Sequence, residues 1–317
     1  MKVNIDKSRV VENLSFQDKI AGISLETRMK RAIKKAGNVE VDLEDADLIL
    51  DWATIYSFSN PMTEAFRIEA KSDLPKIEDA LWESCRKDVD GVISKNHNRH
   101  ISLFISRRIA RFGISPNIIS ILTFSLGILS GIFAAMGDYA SVFLACIFFQ
   151  AASVIDGVDG ELARVKLEFS VLGEWMDTIS DDSSDLFFYG GLGIGAWRAH
   201  YHIGYLTPKI FVILATIAVL GKLLSMALYY SVLIRKKRGD LYAFDWDDET
   251  STEAQKASWL SALFSNARYI TKNDFIAFSA FVLAALGWAP LLVLFAAPGT
   301  LVVSFTVAKQ IRKNRKA

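Results

Sequence analysis

Asp156-Gly157-Val158-Asp159-Gly160-Glu161-Leu162-Ala163-Arg164, followed by Gly173, Asp177 and Asp181, is acidic sequence set between apolar stretches. Ala140 to Ile155 carries no charge, and neither does Leu186 to Trp197. A carboxylate at the edge of hydrocarbon costs several kcal/mol unless a cation or water meets it, so four together mark a functional site. The acids come as two pairs, spaced three and four residues apart, and on a helix both spacings share one face. Two such faces turned toward each other form an oxygen-lined cage suited to a hard divalent cation.

On either side of the acids, the apolar stretches read as six membrane spans, at about residues 116–136, 140–164, 171–197, 210–234, 274–286 and 289–308. Most are near the ~20 residues a bilayer requires. Gly137-Asp138 turns the first pair, Gly287-Trp288-Ala289-Pro290 turns the last, and Pro298-Gly299 is expected to kink the sixth. Before the first span, residues 100–112 place Ile101, Leu103, Phe104, Ile105 and Ile109 away from Arg107, Arg108 and Arg111, as in a helix lying in the headgroup plane. The expected fold is an all-α integral membrane protein. Six transmembrane helices follow an interfacial amphipathic helix and a small cytoplasmic α/β segment. The division falls at 95, with 1–95 soluble and 96–317 transmembrane. Within the first part, 2–11 alternates weakly, 26–36 and 76–87 read as helices, and 38–44 reads as a short strand.

Lysine and arginine set the orientation. An even number of spans puts both termini on one side. That side also receives Arg107, Arg108 and Arg111, then Arg164 and Lys166, the run Arg235-Lys236-Lys237-Arg238, and the basic tail from Lys309. The other side receives Arg198 and Lys209. Both termini are therefore expected to be cytoplasmic in a multi-pass protein of the cell membrane, with the four aspartates at the cytoplasmic boundary. No cleavable signal peptide is read at the charged start. A formal net charge of +1 gives no bulk attraction to nucleic acid. Cys85 and Cys146 form no disulfide or metal spacing, the four histidines are scattered, and Asp245 to Glu249 reads as a solvated loop.

The spacing Asp156, Asp159, Gly160, Ala163, Arg164, Gly173, Asp177, Asp181 resembles the signature of the CDP-alcohol phosphotransferases, integral membrane enzymes of phospholipid synthesis. The resemblance covers roughly residues 95–317. It implies transfer of a phosphoalcohol or phosphatidyl group from a CDP-linked donor to an acceptor hydroxyl, with release of CMP. It implies Mg²⁺ or Mn²⁺ on Asp156, Asp159 and Asp177, with Asp181 sharing a second metal and serving as general base. Gly157, Gly160 and Gly173 each cost ~1 kcal/mol in a helix relative to Ala. Close approach of the cytidine and diphosphate explains them, with Ala163 keeping that face low. Arg164 would pair with phosphate as a fixed fork. Asp182 stands where many relatives carry a basic residue.

Lys222 lies deep in the fourth span, so it either pairs with an acid such as Asp185 or contacts an acceptor phosphate. Arg107, Arg108 and Arg111 are a second candidate anion site, or meet anionic headgroups. Gly127 and Gly131, and the glycines from Gly190 to Gly195, favour close helix packing. The family's habit implies a homodimer in the lipid bilayer. The segment from Lys87 through Asn98-Arg99-His100 to Ser115-Pro116-Asn117 resembles the entry of members with an N-terminal nucleotidyltransferase domain, some of which make di-myo-inositol phosphate phosphate. Residues 1–95 are short for that domain and lack its glycine-rich loop, so they read as a degenerate or unrelated cap. A phosphatidylinositol-phosphate-synthase-like enzyme using CDP-diacylglycerol is an alternative donor reading. A transporter with an intramembrane carboxylate site is an alternative of another class.

Overall fold

The computed structural model describes residues 2–6, 15, 17–35, 39–40, 48–51, 54–56, 65–68, 70–86, 93–241, 244 and 273–314. The Asp245 to Glu249 cluster and the stretch from Lys87 to Val92 lie outside them. In chain order come β1 (Lys2–Asp6), β2 (Lys19–Ile20), β3 (Ile23–Ser24), α1 (Leu25–Lys35), β4 (Val39–Glu40), β5 (Leu48–Asp51), β6 (Thr54–Tyr56), β7 (Ala65–Arg67) and α2 (Leu74–Glu83). The helices α3 (Arg99–Ile109), α4 (Pro116–Ala134), α5 (Tyr139–Lys166), α6 (Val171–Arg198), α7 (Pro208–Lys236), α8 (Asn273–Ala285) and α9 (Leu292–Asn314) follow.

Two compact units divide the chain by contact. The first comprises residues 1–90, 99–118 and 157–170; the second comprises 91–98, 119–156 and 171–317. The division passes along α5, between Asp156 and Gly157.

In the first unit, β1 is the centre of a parallel sheet ordered β4-β1-β5, with Val3 opposite Leu48 and Asp6 opposite Asp51. β2 and β3 form a hairpin whose turn residues, Ala21 and Gly22, both have positive φ, as a two-residue turn between twisted strands requires. β6 and β7 pair antiparallel. α1 buries Leu25, Met29, Ala32 and Ile33, the one-sided stripe of a surface helix. α2 buries Ile77, Leu81 and Trp82.

In the second unit, α7 packs along both α6 and α9. Phe149, Phe188, Tyr189, Leu192, Phe211 and Val293 form its core, and the Phe149 and Phe188 rings stack with centroids 4.2 Å apart. Glycine sets the approach of α4 to α6. A Cβ on Gly131 would lie 2.7 Å from that of Phe187, and Cβ atoms on Gly191 and Gly195 would strike the carbonyls of Gly131 and Ala134. The Gly127/Gly131 pair therefore serves packing inside one chain, where small residues let backbones meet.

Among the described residues, four helices are long and apolar enough to cross a membrane: Pro116–Ala134, Tyr139–Lys166, Pro208–Lys236 and Ala289–Asn314. The protein is a multi-pass membrane protein in this sense. Two further expected spans differ. α6 has 28 residues but carries five acids between Glu174 and Asp185, and α8, with 13 residues, falls short of a bilayer's thickness. α9 continues through Pro298.

α3 departs from the expected single apolar face. Ile101 and Phe104 are exposed, but Leu103 is buried together with Arg99, Ser102 and Ser106. The inward stripe is polar because it meets a buried acid on α5.

Candidate active site

Asp156 and Asp159 stand one turn apart on α5, and Asp177 stands on α6. One oxygen from each lies within 4.8 Å of the other two. Three carboxylates and no softer donor make this a set for a hard divalent cation. Asp181 lies one turn beyond Asp177, outside that group. Its charged neighbours are Asp177, Asp182, Asp185 and Lys222.

The signature's remaining residues take definite positions. Arg164 folds back over Gly160, its Nη1 only 3.1 Å from where a Cβ on that glycine would sit. Gly160 thus clears space for the guanidinium. Gly157 faces α3, where a Cβ would lie 3.3 Å from Ser102 Oγ and 3.6 Å from Arg99 Nη1. Ala163 is half-buried, and Gly173, also half-buried, sits in the first turn of α6. Beside Arg164 lies Cys85 of the first unit. Burial pushes its thiol up, and the Arg164 charge and a hydrogen bond to it pull the other way.

Glu161 is the residue sequence reasoning passed over. It is fully buried, and three groups of α3 donate to it: Arg99 Nη1 at 2.9 Å, Ser102 Oγ at 2.6 Å and Ser106 Oγ at 2.6 Å. The donors occur at spacings of three and four residues, one face of a helix. That polar stripe, Arg-x-x-Ser-x-x-x-Ser, was the available signal.

A second buried network lies in the helical unit. Lys222 Nζ of α7 donates to Asp185 Oδ2 at 2.6 Å and lies 2.9 Å from Asp182 Oδ1. The Tyr229 hydroxyl donates to Asp182 Oδ2, and so does that of Tyr230, at 2.9 Å. Asp182 is thereby the hub joining α6 to α7. At the start of α6, Glu174 accepts from Arg238 Nε and from the Gly239 amide, both at 3.0 Å, and Thr178 donates to the Gly239 carbonyl at 2.7 Å. The hydrogen bonds and charge of Glu174 raise the Arg238 guanidinium above its ordinary value.

The α3 arginines are not equivalent. Arg107 bridges Asp79 at 2.6 Å and Glu83 at 3.3 Å on α2. Arg108 lies 4.8 Å over the Phe104 ring, a cation–π arrangement. Arg111 is exposed.

The apolar helices and the carboxylate cluster define a multi-pass helical membrane protein with an acidic group that could hold a divalent cation. A family model, CDP-alcohol phosphatidyltransferase, matches residues 113–302, well over half of the chain. The protein belongs to that family. Among curated proteins it is similar to several that bear the name bifunctional IPC transferase and DIPP synthase. The Thermococcus kodakarensis protein is 34% identical over 135 residues, 43% of this chain and 28% of that one. Its Aquifex aeolicus counterpart is 34% identical over 128 residues, 40% and 29%. The one from Archaeoglobus fulgidus is 35% identical over 122 residues, 38% and 24%. The matched stretch thus spans less than a third of each relative's length.

Proposed function

We propose that the protein transfers a phosphoalcohol group from a CDP-alcohol to a small polyol or polyol phosphate, releasing CMP on the cytoplasmic side of the cell membrane. The observation that carries this reading is the convergence of Asp156, Asp159 and Asp177 inside the family-matched segment. Mg²⁺ or Mn²⁺ bound there would neutralise the pyrophosphate and stabilise the departing CMP. Asp181, one turn along the same face of α6, takes the proton of the acceptor hydroxyl. The hydroxyl oxygen bonds to the phosphorus bearing the donor's alcohol, and the bond from that phosphorus to the CMP oxygen breaks. Arg164 holds a phosphate as an always-charged fork, with Gly160, Gly157, Gly173 and Ala163 keeping that face low. Arg108 and Arg111 remain candidates for an acceptor phosphate or a headgroup. The two carboxylates on Lys222 favour pairing as its role.

Topology supports the same reading. At 1.5 Å per residue, α5 from Tyr139 covers about 30 Å of hydrocarbon by Asp159, which puts the acids at the membrane boundary. We further propose six spans with α6 and α8 included, 1–95 as the soluble part and 96–317 as the membrane part, both termini cytoplasmic, and a homodimer. Similarity to proteins named DIPP synthase favours a polyol phosphodiester as product. Synthesis of a phospholipid from CDP-diacylglycerol is the competing outcome.

Purified protein with Mn²⁺ should release CMP from a CDP-alcohol when an acceptor is supplied, and Asp181→Asn should reduce the rate at least ~10³-fold. Mass spectrometry of products across CDP-donors and acceptors would identify both substrates. Absence of CMP release with every donor, or full activity in Asp181→Asn, would overturn the reading.

A further inference from the structure

The last four carbonyls of a helix have no partner within it, and at the C-terminus of α5 all four are met. Leu167, with φ +54, donates to the Arg164 carbonyl at 3.2 Å, and Glu168 donates to that of Ala163 at 2.9 Å. These two bonds are the Schellman closure, here built on a buried leucine in the left-handed region where glycine is the usual residue. The other two carbonyls are taken by α1. Arg28 Nη1 donates to the Val165 carbonyl, and Arg31 Nη1 donates to that of Lys166 at 2.9 Å. Arg28 and Arg31 are three residues apart, on one face of α1.

Further ties run between the same parts of the first unit. Arg31 also pairs with Glu168 at 2.8 Å. Arg107 links α3 to Asp79 and Glu83 of α2. A Cβ on Gly22 of the β2–β3 turn would strike the Ala110 carbonyl. Lys166 itself donates to the Ile114 carbonyl at 3.0 Å. The stretch so held, 157–170, carries Asp159, Gly160, Ala163 and Arg164.

We propose that the N-terminal segment is a clamp on the catalytic helix, with Arg28 and Arg31 as positioning residues that set where Asp159 and Arg164 stand. Packing alone does not require a guanidinium at 28. The residue is 2% exposed, and burial pushes its pKa down to about 10, a cost an apolar side chain would avoid. What the guanidinium supplies is a donor and a positive charge at the negative end of the α5 dipole. The two arginines thus fix the axial and rotational setting of the helix end that carries half of the signature.

This role rests on the proposed reaction only for its kinetic consequence, so the test has two arms on the full-length protein in detergent. The variant is Arg31→Gln, whose half-buried side chain can be replaced without emptying the core. Amide hydrogen exchange at Leu167 and Glu168 is read first, and exchange at least ~10-fold faster than wild type supports the clamp. CMP release is read second, and a kcat at least ~10-fold lower, with Mn²⁺ affinity within about threefold, supports positioning. Arg31→Lys, which keeps a cationic donor, should recover part of both. Unchanged exchange in Arg31→Gln overturns the clamp. Faster exchange with unchanged kcat and KM overturns positioning and leaves Arg31 a purely structural residue. If the wild type itself releases no CMP, the proposed reaction falls, and the exchange arm still decides the clamp.

Discussion

The Glu161 cluster and the Asp182/Asp185 cluster hold buried carboxylates in opposite proportions. In the first, one acid receives a guanidinium and two hydroxyls, all from α3. In the second, two acids share one ammonium, and two tyrosines supply the remaining donors to Asp182. The first ties α3 to α5 with cation and anion matched. The second ties α6 to α7 with anions in excess, one turn from Asp181. A buried charge is tolerable when its lone pairs are met, and the two clusters reach that state by different means. The network on Lys222 sets two anions on one cation, so it should be the more fragile.

The largest expected effect follows from removing that cation. Lys222→Met leaves Asp182 and Asp185 buried without their countercharge and should destabilise by about 3–5 kcal/mol, read as a loss of melting temperature in detergent. Adding Asp182→Asn and Asp185→Asn should recover most of the loss, because no charge is then left buried. A loss under ~1 kcal/mol for Lys222→Met would show that Asp182 and Asp185 do not need that cation.

Glu161→Gln should cost less, about 2 kcal/mol, since the amide still accepts from one serine while Arg99 loses its counterion. Equal costs for the two substitutions would show that the donor count, and not the charge ratio, governs both clusters.

The smallest effect is expected at an exposed pair. Lys71 Nζ lies 2.7 Å from Asp18 Oδ1, and a hydrogen bond from Lys71 holds the Asp18 carboxyl below its ordinary 3.8. A lowered folded pKa means stability that is present above about pH 4 and fades as pH falls through the folded value. Solvent screening makes it slight. Lys71→Ala should leave the melting temperature at pH 7 within error of wild type. A clear drop there would show that exposed pairs also carry weight in this protein.

Much of the site was legible because local periodicity and residue type carry it. The spacing from Asp156 to Asp181 placed both acid pairs on helix faces, and three of the four acids do converge. The helices α4, α5, α6 and α7 begin and end within a few residues of the apolar stretches that announced them. Glu161 was not legible in the same way. A lone glutamate inside a signature has no period, and its donors lie more than fifty residues earlier. The α3 stripe was read for its isoleucines, whereas the inward face is its serines.

Composition and spacings of three and four residues are enough for the family, the extents of α4 to α7 and the placing of the acid pairs on helix faces. That Gly127 and Gly131 pack against α6 within one chain is visible in the folded protein. It alone showed that Lys222 joins two aspartates and that α1 supplies the missing donors at the end of α5. These are pairings across tens to more than a hundred residues. A helix face specifies that it must be buried or satisfied, and the folded chain decides by what.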